Sequence, residues 1–94
     1  MVLNMLLRPS ETFLERTKDA REVRGMSQRQ LVARLEAEHG IHLTQPAYTL
    51  LESGRRALKF DEAVAISRVL NVSLELMYAP SWHDYLVMES EAGK

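Results

Sequence analysis

The sequence predicts an all-α fold of five short helices, and three observations support this class. Apolar residues recur at three- and four-residue spacing along most of the chain. Capping residues and glycines separate these periodic segments from one another. Stretches typical of β-strands are confined to residues 2–7 and 85–88. We therefore expect a compact helical bundle with short N- and C-terminal extensions that are either β or dimerising.

Length and composition indicate the general class of protein. A chain of 94 residues with 46% hydrophobic side chains can form one domain with a small core. Cysteine is absent, which excludes disulfide bonds and thiolate metal ligands. No apolar run approaches the roughly 18 residues that a membrane span needs. We expect a cytoplasmic, nucleoid-associated protein with an N-terminal extension (1–9), a helical domain (10–79) and a C-terminal tail (80–94).

The first two helices have recognisable boundaries. Ser10 is the expected cap of the first helix, and Gly25 ends it. Ser27 is the expected cap of the second helix, and Gly40 suits the left-handed residue that closes it. The residues expected to face the core share helical spacing: Phe13, Leu14, Thr17, Ala20, Leu31, Val32 and Leu35.

The third helix, residues 44–53, is bounded by a Thr cap and by the Gly that follows it. Helical spacing places Ala47, Tyr48 and Leu51 on one side, with Glu52 near its edge. The other side holds only uncharged residues: Gln45, Pro46, Thr49, Leu50 and Ser53. A glutamine amide can pair with adenine N6 and N7, and a threonine or leucine methyl group can contact thymine. This side is therefore a candidate surface for contacting DNA bases.

Two more helices complete the predicted bundle. After the loop 54–59, residues 60–70 form the fourth helix, with acidic residues in its first turn and Asn71 as its expected end. Ser73 is the expected cap of a short fifth helix, 74–78, before Pro80.

Charge is distributed unevenly along the chain. Residues 16–59 carry nine lysine or arginine residues and five acidic residues, whereas residues 60–94 carry two and six. The formal net charge of −1 therefore combines a basic front with an acidic rear. A basic surface would let a nearly neutral protein face a polyanion, although ordinary scatter of surface charge explains the pattern equally well.

Catalytic and metal-binding patterns are missing from the sequence. His39 and His42 flank a turn without a carboxylate at ligand spacing, and His83 lies directly beside Asp84. The chain lacks both a nucleophile elbow and a glycine-rich phosphate loop. We expect a protein without enzymatic activity, metal or cofactor.

Three segments together resemble the phage Cro and repressor type of helix-turn-helix protein, also called the xenobiotic-response-element family. They are REVRGMSQRQLVARL, LTQPAYTLLESGRR and LKFDEAVAISRVLNVSLELMY, in that order. The resemblance covers residues 13–78. It implies a five-helix bundle of the lambda-repressor-like type, in which the second helix crosses the DNA backbone and the third enters the major groove.

The resemblance also implies roles for individual residues. The expected base contacts are Gln45, Pro46, Thr49 and Leu50. The expected phosphate contacts flank the second and third helices: Ser27, Gln28, Arg29, Thr44, Ser53, Arg55, Arg56 and Lys59. Arg21 and Glu52 occupy the positions of a buried ion pair that joins the first helix to the third.

Two features depart from the family pattern. The segment EAEHGIHL is about four residues longer than the usual turn between the second and third helices, which predicts a longer second helix and a wider turn. Leu50 and Pro46 stand where polar side chains are common in the family. Specificity would then depend on few hydrogen bonds, on thymine methyl groups or on DNA shape.

The sequence therefore predicts a sequence-specific double-stranded DNA-binding protein of the prokaryotic or phage kind, acting as a transcriptional regulator or repressor. Because one module contacts few base pairs, we expect a homodimer on a palindromic operator. The apolar ends, residues 1–7 and 81–88, either pair within one chain or cross to a partner. The alternative is a protein-interaction module, such as an antitoxin that mainly binds a toxin and also binds DNA to regulate its own expression.

Overall fold

The structure is a computed structural model that describes residues 8–78. Within this range, four α-helices extend over Pro9–Val23 (α1), Gln28–His39 (α2), Gln45–Glu52 (α3) and Phe60–Leu70 (α4). One turn of 3-10 helix, Glu75–Tyr78, follows α4. No strand occurs between residues 8 and 78, which agrees with the predicted all-α class.

Two predictions about the ends of this fold have different outcomes. The expected fifth helix is a 3-10 turn, so residues 8–78 contain four α-helices where the sequence predicts five. Ser73 nevertheless caps that turn, since its hydroxyl accepts a hydrogen bond from the Leu76 amide at 3.2 Å. The strand candidates at 2–7 and 85–88 lie outside the described residues, as do residues 1–7 of the N-terminal extension and the whole C-terminal tail.

The start of α1 differs from its prediction. The sequence predicts Ser10 as the cap, but the N-cap is Arg8, and Pro9 occupies the first helical position. Proline suits that position because its fixed φ is helical and its missing N–H is not needed there. Glu11 supports the start by accepting a hydrogen bond from the Arg8 amide at 3.3 Å.

The caps around α2 and α3 match their predictions. Ser27 and Gln30 form a reciprocal capping box, with hydrogen bonds of 3.0 and 2.8 Å. Gly40 closes α2 in the left-handed region at φ 66°, which a residue without Cβ adopts without strain. The Thr44 hydroxyl accepts from the Ala47 amide at 3.2 Å and starts α3. The additional residues of the long connection thus lie partly in α2, which runs to His39.

The core is formed where the helices of the bundle pack against one another, with α3 contacting both α1 and α2 and α4 contacting the same two helices. Tyr48 and Leu51 of α3 are fully buried, as are Leu31 and Leu35 of α2. Further buried apolar residues come from α1, α4, the 3-10 turn and the connecting segments: Phe13, Leu14, Ala20, Leu43, Ala63, Ala65, Ile66, Val69, Leu70, Val72 and Met77. This packing fixes α3 by one side and leaves its other side at the surface.

No helix among residues 8–78 has the length and apolar content required to cross a membrane.

Candidate nucleic-acid interface

Helix α3 divides into a buried side and an exposed side. Tyr48 and Leu51 have no exposed surface, and Ala47 is half-buried. Gln45, Pro46, Thr49, Leu50 and Ser53 are all exposed, as the helical spacing predicts. The structure therefore brings the candidate base-contacting residues together on one surface.

A buried carboxylate fastens α3 to its neighbours. The Arg21 guanidinium of α1 donates to both Glu52 carboxylate oxygens, at 3.0 and 2.9 Å. Tyr48 donates its hydroxyl proton to Glu52 at 2.7 Å, and the Gln28 amide nitrogen donates at 3.0 Å. The side chains of Arg21 and Glu52 are only 10% and 4% exposed. Since Arg21 lies on α1 and Gln28 on α2, this one carboxylate ties α3 to both helices.

The protonation behaviour of this cluster follows from its contacts. Burial alone would raise the pKa of Glu52, but the hydrogen bonds from Arg21, Tyr48 and Gln28 outweigh it and lower the pKa below its ordinary value. The pKa of Arg21 is raised, chiefly by its hydrogen bonds to Glu52. The pKa of Tyr48 is raised by burial and then by the bond to Glu52. Glu52 is therefore ionised and purely an acceptor at neutral pH.

Gln28 extends this cluster to the exposed side of α3. Its amide nitrogen donates to Glu52, and its carbonyl oxygen accepts the Thr49 hydroxyl proton at 2.8 Å. An expected phosphate-contacting residue of α2 is thus bonded to an expected base-contacting residue of α3. One N–H of the Gln28 amide remains for a further acceptor, since each amide nitrogen carries two protons.

The remaining expected base contacts are open to solvent. Gln45 is exposed and its amide makes no hydrogen bond within residues 8–78, so both its donor and its acceptor are available. Leu50 is 44% exposed, which is unusual for a large apolar side chain in a helix. Pro46 presents an apolar surface in the first turn.

The hydroxyl groups near α2 and α3 differ in whether their proton is still available for a further hydrogen bond. Ser27 and Thr44 accept hydrogen bonds as N-caps, so each hydroxyl keeps its own proton for another acceptor. Ser53 instead donates its proton to the Leu50 carbonyl at 3.0 Å. A phosphate oxygen only accepts hydrogen bonds, so Ser27 and Thr44 are better placed than Ser53 to bind one.

The two adjacent arginines after α3 are in different environments. Arg56 donates to both Glu62 carboxylate oxygens, each at 3.0 Å, and to the Ala57 carbonyl at 3.3 Å. Burial raises the pKa of Glu62, but Arg56 and the Lys59 amide lower it by more, so the carboxylate is ionised. Arg55 is exposed and forms no ion pair within the described range. The full charge of Arg55 is available to an anion, whereas that of Arg56 is offset.

Arg29 and Lys59 resemble Arg55 in this respect. Both are exposed and lack an ion-pair partner among residues 8–78. Arg29 follows Gln28 directly in the first turn of α2. Arg29, Arg55 and Lys59 supply positive charge on the segments that flank the uncharged surface of α3.

Residue spacing could not predict every contact in this region. Tyr48 and Glu52 are four residues apart on one helix, a spacing that brings side chains together, but the sequence pattern assigns Tyr48 only to the core. The sequence pattern predicts Glu62 only as one of the acidic residues in the first turn of α4, whereas its bond to Arg56 spans a loop. The Gln28–Thr49 bond has no local signal, because it depends on how α2 and α3 cross.

A cleft of about 710 Å³ lies between the first turn of α1 and the segment after α3. Arg8, Arg55 and Arg56 line it together with Glu11 and Glu15, so its charge is mixed. No group of three or more histidine or carboxylate side chains within residues 8–78 is placed to hold a metal ion.

Comparison with known proteins identifies the family. A family model described as helix-turn-helix matches residues 18–77, which include α2, α3, α4 and part of α1. The chain therefore belongs to the helix-turn-helix family of the Cro and phage-repressor type, a class of DNA-binding transcription regulators. Neither the curated proteins nor the solved structures gave a significant match. The family is one of regulatory DNA-binding proteins rather than of enzymes.

Proposed function

We propose that this protein binds double-stranded DNA sequence-specifically as a homodimer, with α3 in the major groove of a palindromic operator, and that it represses transcription there. The observation that carries the proposal is the structure of α3 itself. One side is fixed by the Arg21–Glu52 ion pair, and the other presents an uncharged surface of Gln45, Thr49 and Leu50.

An uncharged polar and apolar surface suits base contacts. The free Gln45 amide can donate to adenine N7 and accept from adenine N6 at the same time, which gives a bidentate pair. Leu50 can cover a thymine methyl group, and Pro46 can pack against the same kind of apolar edge. Few hydrogen bonds are then available, so DNA shape contributes to specificity.

Phosphate binding is proposed for the residues around this surface. Arg29, Arg55 and Lys59 supply unpaired charge, while Ser27, Thr44 and the second N–H of Gln28 supply neutral donors. Arg56 and Ser53 contribute less, because Glu62 and the Leu50 carbonyl already occupy their donors. Such contacts position the protein on DNA and give its binding a strong salt dependence.

Dimerisation is proposed because α3 offers too little surface for a long site. Two copies related by a two-fold axis would contact half-sites about one helical turn apart. Phe60 and Tyr78 are 73% and 51% exposed, and aromatic residues of this kind are enriched at protein interfaces.

The test is selection of bound sites from a random duplex library, followed by binding titrations of the selected duplex at increasing salt. We expect a palindromic consensus and an affinity that falls linearly in a double-logarithmic plot. A selection that yields no consensus sequence, or a DNA affinity that does not change with salt, would disprove the proposal.

The two adjacent arginines provide a matched pair of variants. Arg55→Gln should lower the slope of log affinity against log salt by about 0.9 for each phosphate that the variant no longer neutralises. Arg56→Gln should change the slope less, because Glu62 already offsets that charge. Equal slope changes in both variants would show that Glu62 releases Arg56 on binding.

The rival proposal is a protein-interaction module, such as an antitoxin, in which DNA binding is secondary. The exposed Phe60 and Tyr78 favour it. Phe60→Ser and Tyr78→Ser separate the two proposals. Under the first, they weaken only the cooperative binding of two copies, whereas under the rival they abolish binding to the protein partner and leave DNA affinity unchanged.

A further inference from the structure

A relay of hydrogen bonds connects the protein interior to the exposed side of α3. It begins at the ion pair, where Glu52 accepts the Gln28 amide proton at 3.0 Å. It ends at the surface, where Gln28 accepts the Thr49 hydroxyl proton at 2.8 Å. Thr49 is exposed, whereas the Glu52 side chain is almost fully buried.

Each step of the relay has only one possible direction. A carboxylate paired with an arginine accepts hydrogen bonds and donates none, so Gln28 must turn its NH₂ group towards Glu52. This orientation turns the Gln28 carbonyl oxygen towards Thr49. An amide carbonyl also only accepts, so the single hydroxyl proton of Thr49 is committed to Gln28.

The hydroxyl oxygen of Thr49 is consequently left as an acceptor on the exposed side. In the major groove, adenine N6 and cytosine N4 donate hydrogen bonds, whereas guanine N7 and O6 and thymine O4 accept them. Thymine also presents a methyl group, which the threonine methyl can contact. Guanine offers Thr49 neither a donor nor a methyl group.

We propose that Gln28 is a specificity-determining residue, which fixes Thr49 as a hydrogen-bond acceptor and thereby excludes guanine from the base that Thr49 contacts. This inference rests on the proposed function, because it concerns the base preference of the same surface. Gln28 acts as a positioning residue and need not touch a base itself.

The experiment compares the selected duplex with duplexes that carry each of the other base pairs at every position, using wild type and substituted proteins. Thr49→Val identifies the contacted base pair, since it removes the hydroxyl group and keeps a similar shape. At that pair, we expect the wild-type affinity for the duplex with guanine to be about tenfold lower than the affinity for the selected duplex. A difference of this size is what one good base contact provides. A base profile that Thr49→Val leaves unchanged would overturn the inference.

Gln28→Met then tests the relay. The variant removes the acceptor of the Thr49 proton but leaves Glu52 its bonds from Arg21 and Tyr48, so the fold retains its main ion pair. The freed hydroxyl can rotate to donate to guanine, although the helix carbonyl four residues earlier competes for the proton. We expect the ratio between the affinity for the selected duplex and the affinity for the duplex with guanine at this position to fall by about threefold or more. Unchanged discrimination in Gln28→Met would overturn the inference.

Two controls separate this role from a general loss of structure. Gln30→Met removes a capping-box glutamine on the same helix and should lower stability while keeping the discrimination against guanine. Thr49→Ser keeps the relayed hydroxyl group and loses only the methyl group, so it should keep the preference for adenine and cytosine over guanine. If wild type selects no sequence at all, the proposed function itself fails. If it selects a sequence but Gln28→Met behaves as Gln30→Met does, only the role of Gln28 fails.

Discussion

The two sides of α3 differ in burial and in how many hydrogen bonds hold their side chains. On the buried side, Tyr48 and Leu51 are fully enclosed, and Glu52 accepts hydrogen bonds from Arg21, Tyr48 and Gln28. On the exposed side, Gln45 and Leu50 have no such constraints. The residues that hold the helix in place are therefore different from those that we propose contact bases, within one eight-residue helix.

A second comparison shows which charges hold the structure. The Arg21–Glu52 pair is buried and joins two helices, whereas Arg34 and Glu38 form an ion pair on the surface of α2, with side chains 45% and 43% exposed. Surface pairs contribute little because water and salt screen them and their side chains lose entropy. Of these two pairs, only the buried one should therefore matter for the position of α3.

The largest effect is expected from breaking the buried pair. Glu52→Ala leaves the Arg21 guanidinium buried without its anion and should lower the free energy of unfolding by about 3–5 kcal/mol. Urea denaturation followed by circular dichroism measures this loss, with Glu38→Ala as the surface control that should barely shift the midpoint. A similar shift in both variants would contradict the separate roles of the two pairs.

A smaller loss is expected from removing one hydrogen bond to the same carboxylate. Tyr48→Phe keeps the buried ring and deletes the 2.7 Å bond to Glu52. Hydrogen bonds to charged groups contribute about 1.5–3 kcal/mol, so the same denaturation should show a loss of that size. A loss close to zero would mean that water or another donor replaces the tyrosine hydroxyl.

Acid should weaken the buried side in a defined direction. Glu52 and Glu62 have lowered pKa values in the fold, so the unfolded chain binds more protons than the folded one in acid. Their stabilisation is complete above the ordinary glutamate pKa of about 4.3 and is lost as the pH falls through the lower folded values. Denaturation midpoints at pH 7 and pH 3, measured for wild type and Glu52→Gln, should differ less in the variant. An equal acid loss in both would show that Glu52 does not carry the acid sensitivity.

The smallest change in stability is expected on the exposed side. Leu50→Ala removes a side chain that is already 44% exposed and should alter the free energy of unfolding by no more than about 0.5 kcal/mol. The same variant should lose preference for thymine at one position of the selected duplex. A large loss of stability would show that Leu50 belongs to the core rather than to the recognition surface.

Much of the fold could be predicted because its signals are local. The caps at Ser27 and Thr44, the left-handed Gly40 and Asn71, and the buried side of α3 all follow from residue type and spacing. The predicted start of α1 is two residues late because Ser10 is a strong cap by type, while Pro9 fits the first turn better. The predicted fifth helix is too short to complete α-helical bonding and forms a 3-10 turn.

The candidate site was less predictable, because its important contacts are not local. Helical spacing separated the exposed residues of α3 from the buried ones, and the family resemblance paired Arg21 with Glu52. Neither could show that Arg56 is bonded to Glu62 or that Gln28 joins Glu52 to Thr49, since these contacts depend on the angles between helices. The roles of individual residues towards DNA remain predictions.

The most direct test of α3 as the recognition helix is the base preference of Gln45→Ala on the selected duplex. The Gln45 side chain is exposed and makes no hydrogen bond within residues 8–78, so its replacement should leave the fold intact. We predict that competition titrations will show discrimination lost by about 1–3 kcal/mol at one base pair per half-site, with the other positions unchanged. An unchanged preference at every position would contradict the assignment of α3 as the recognition helix.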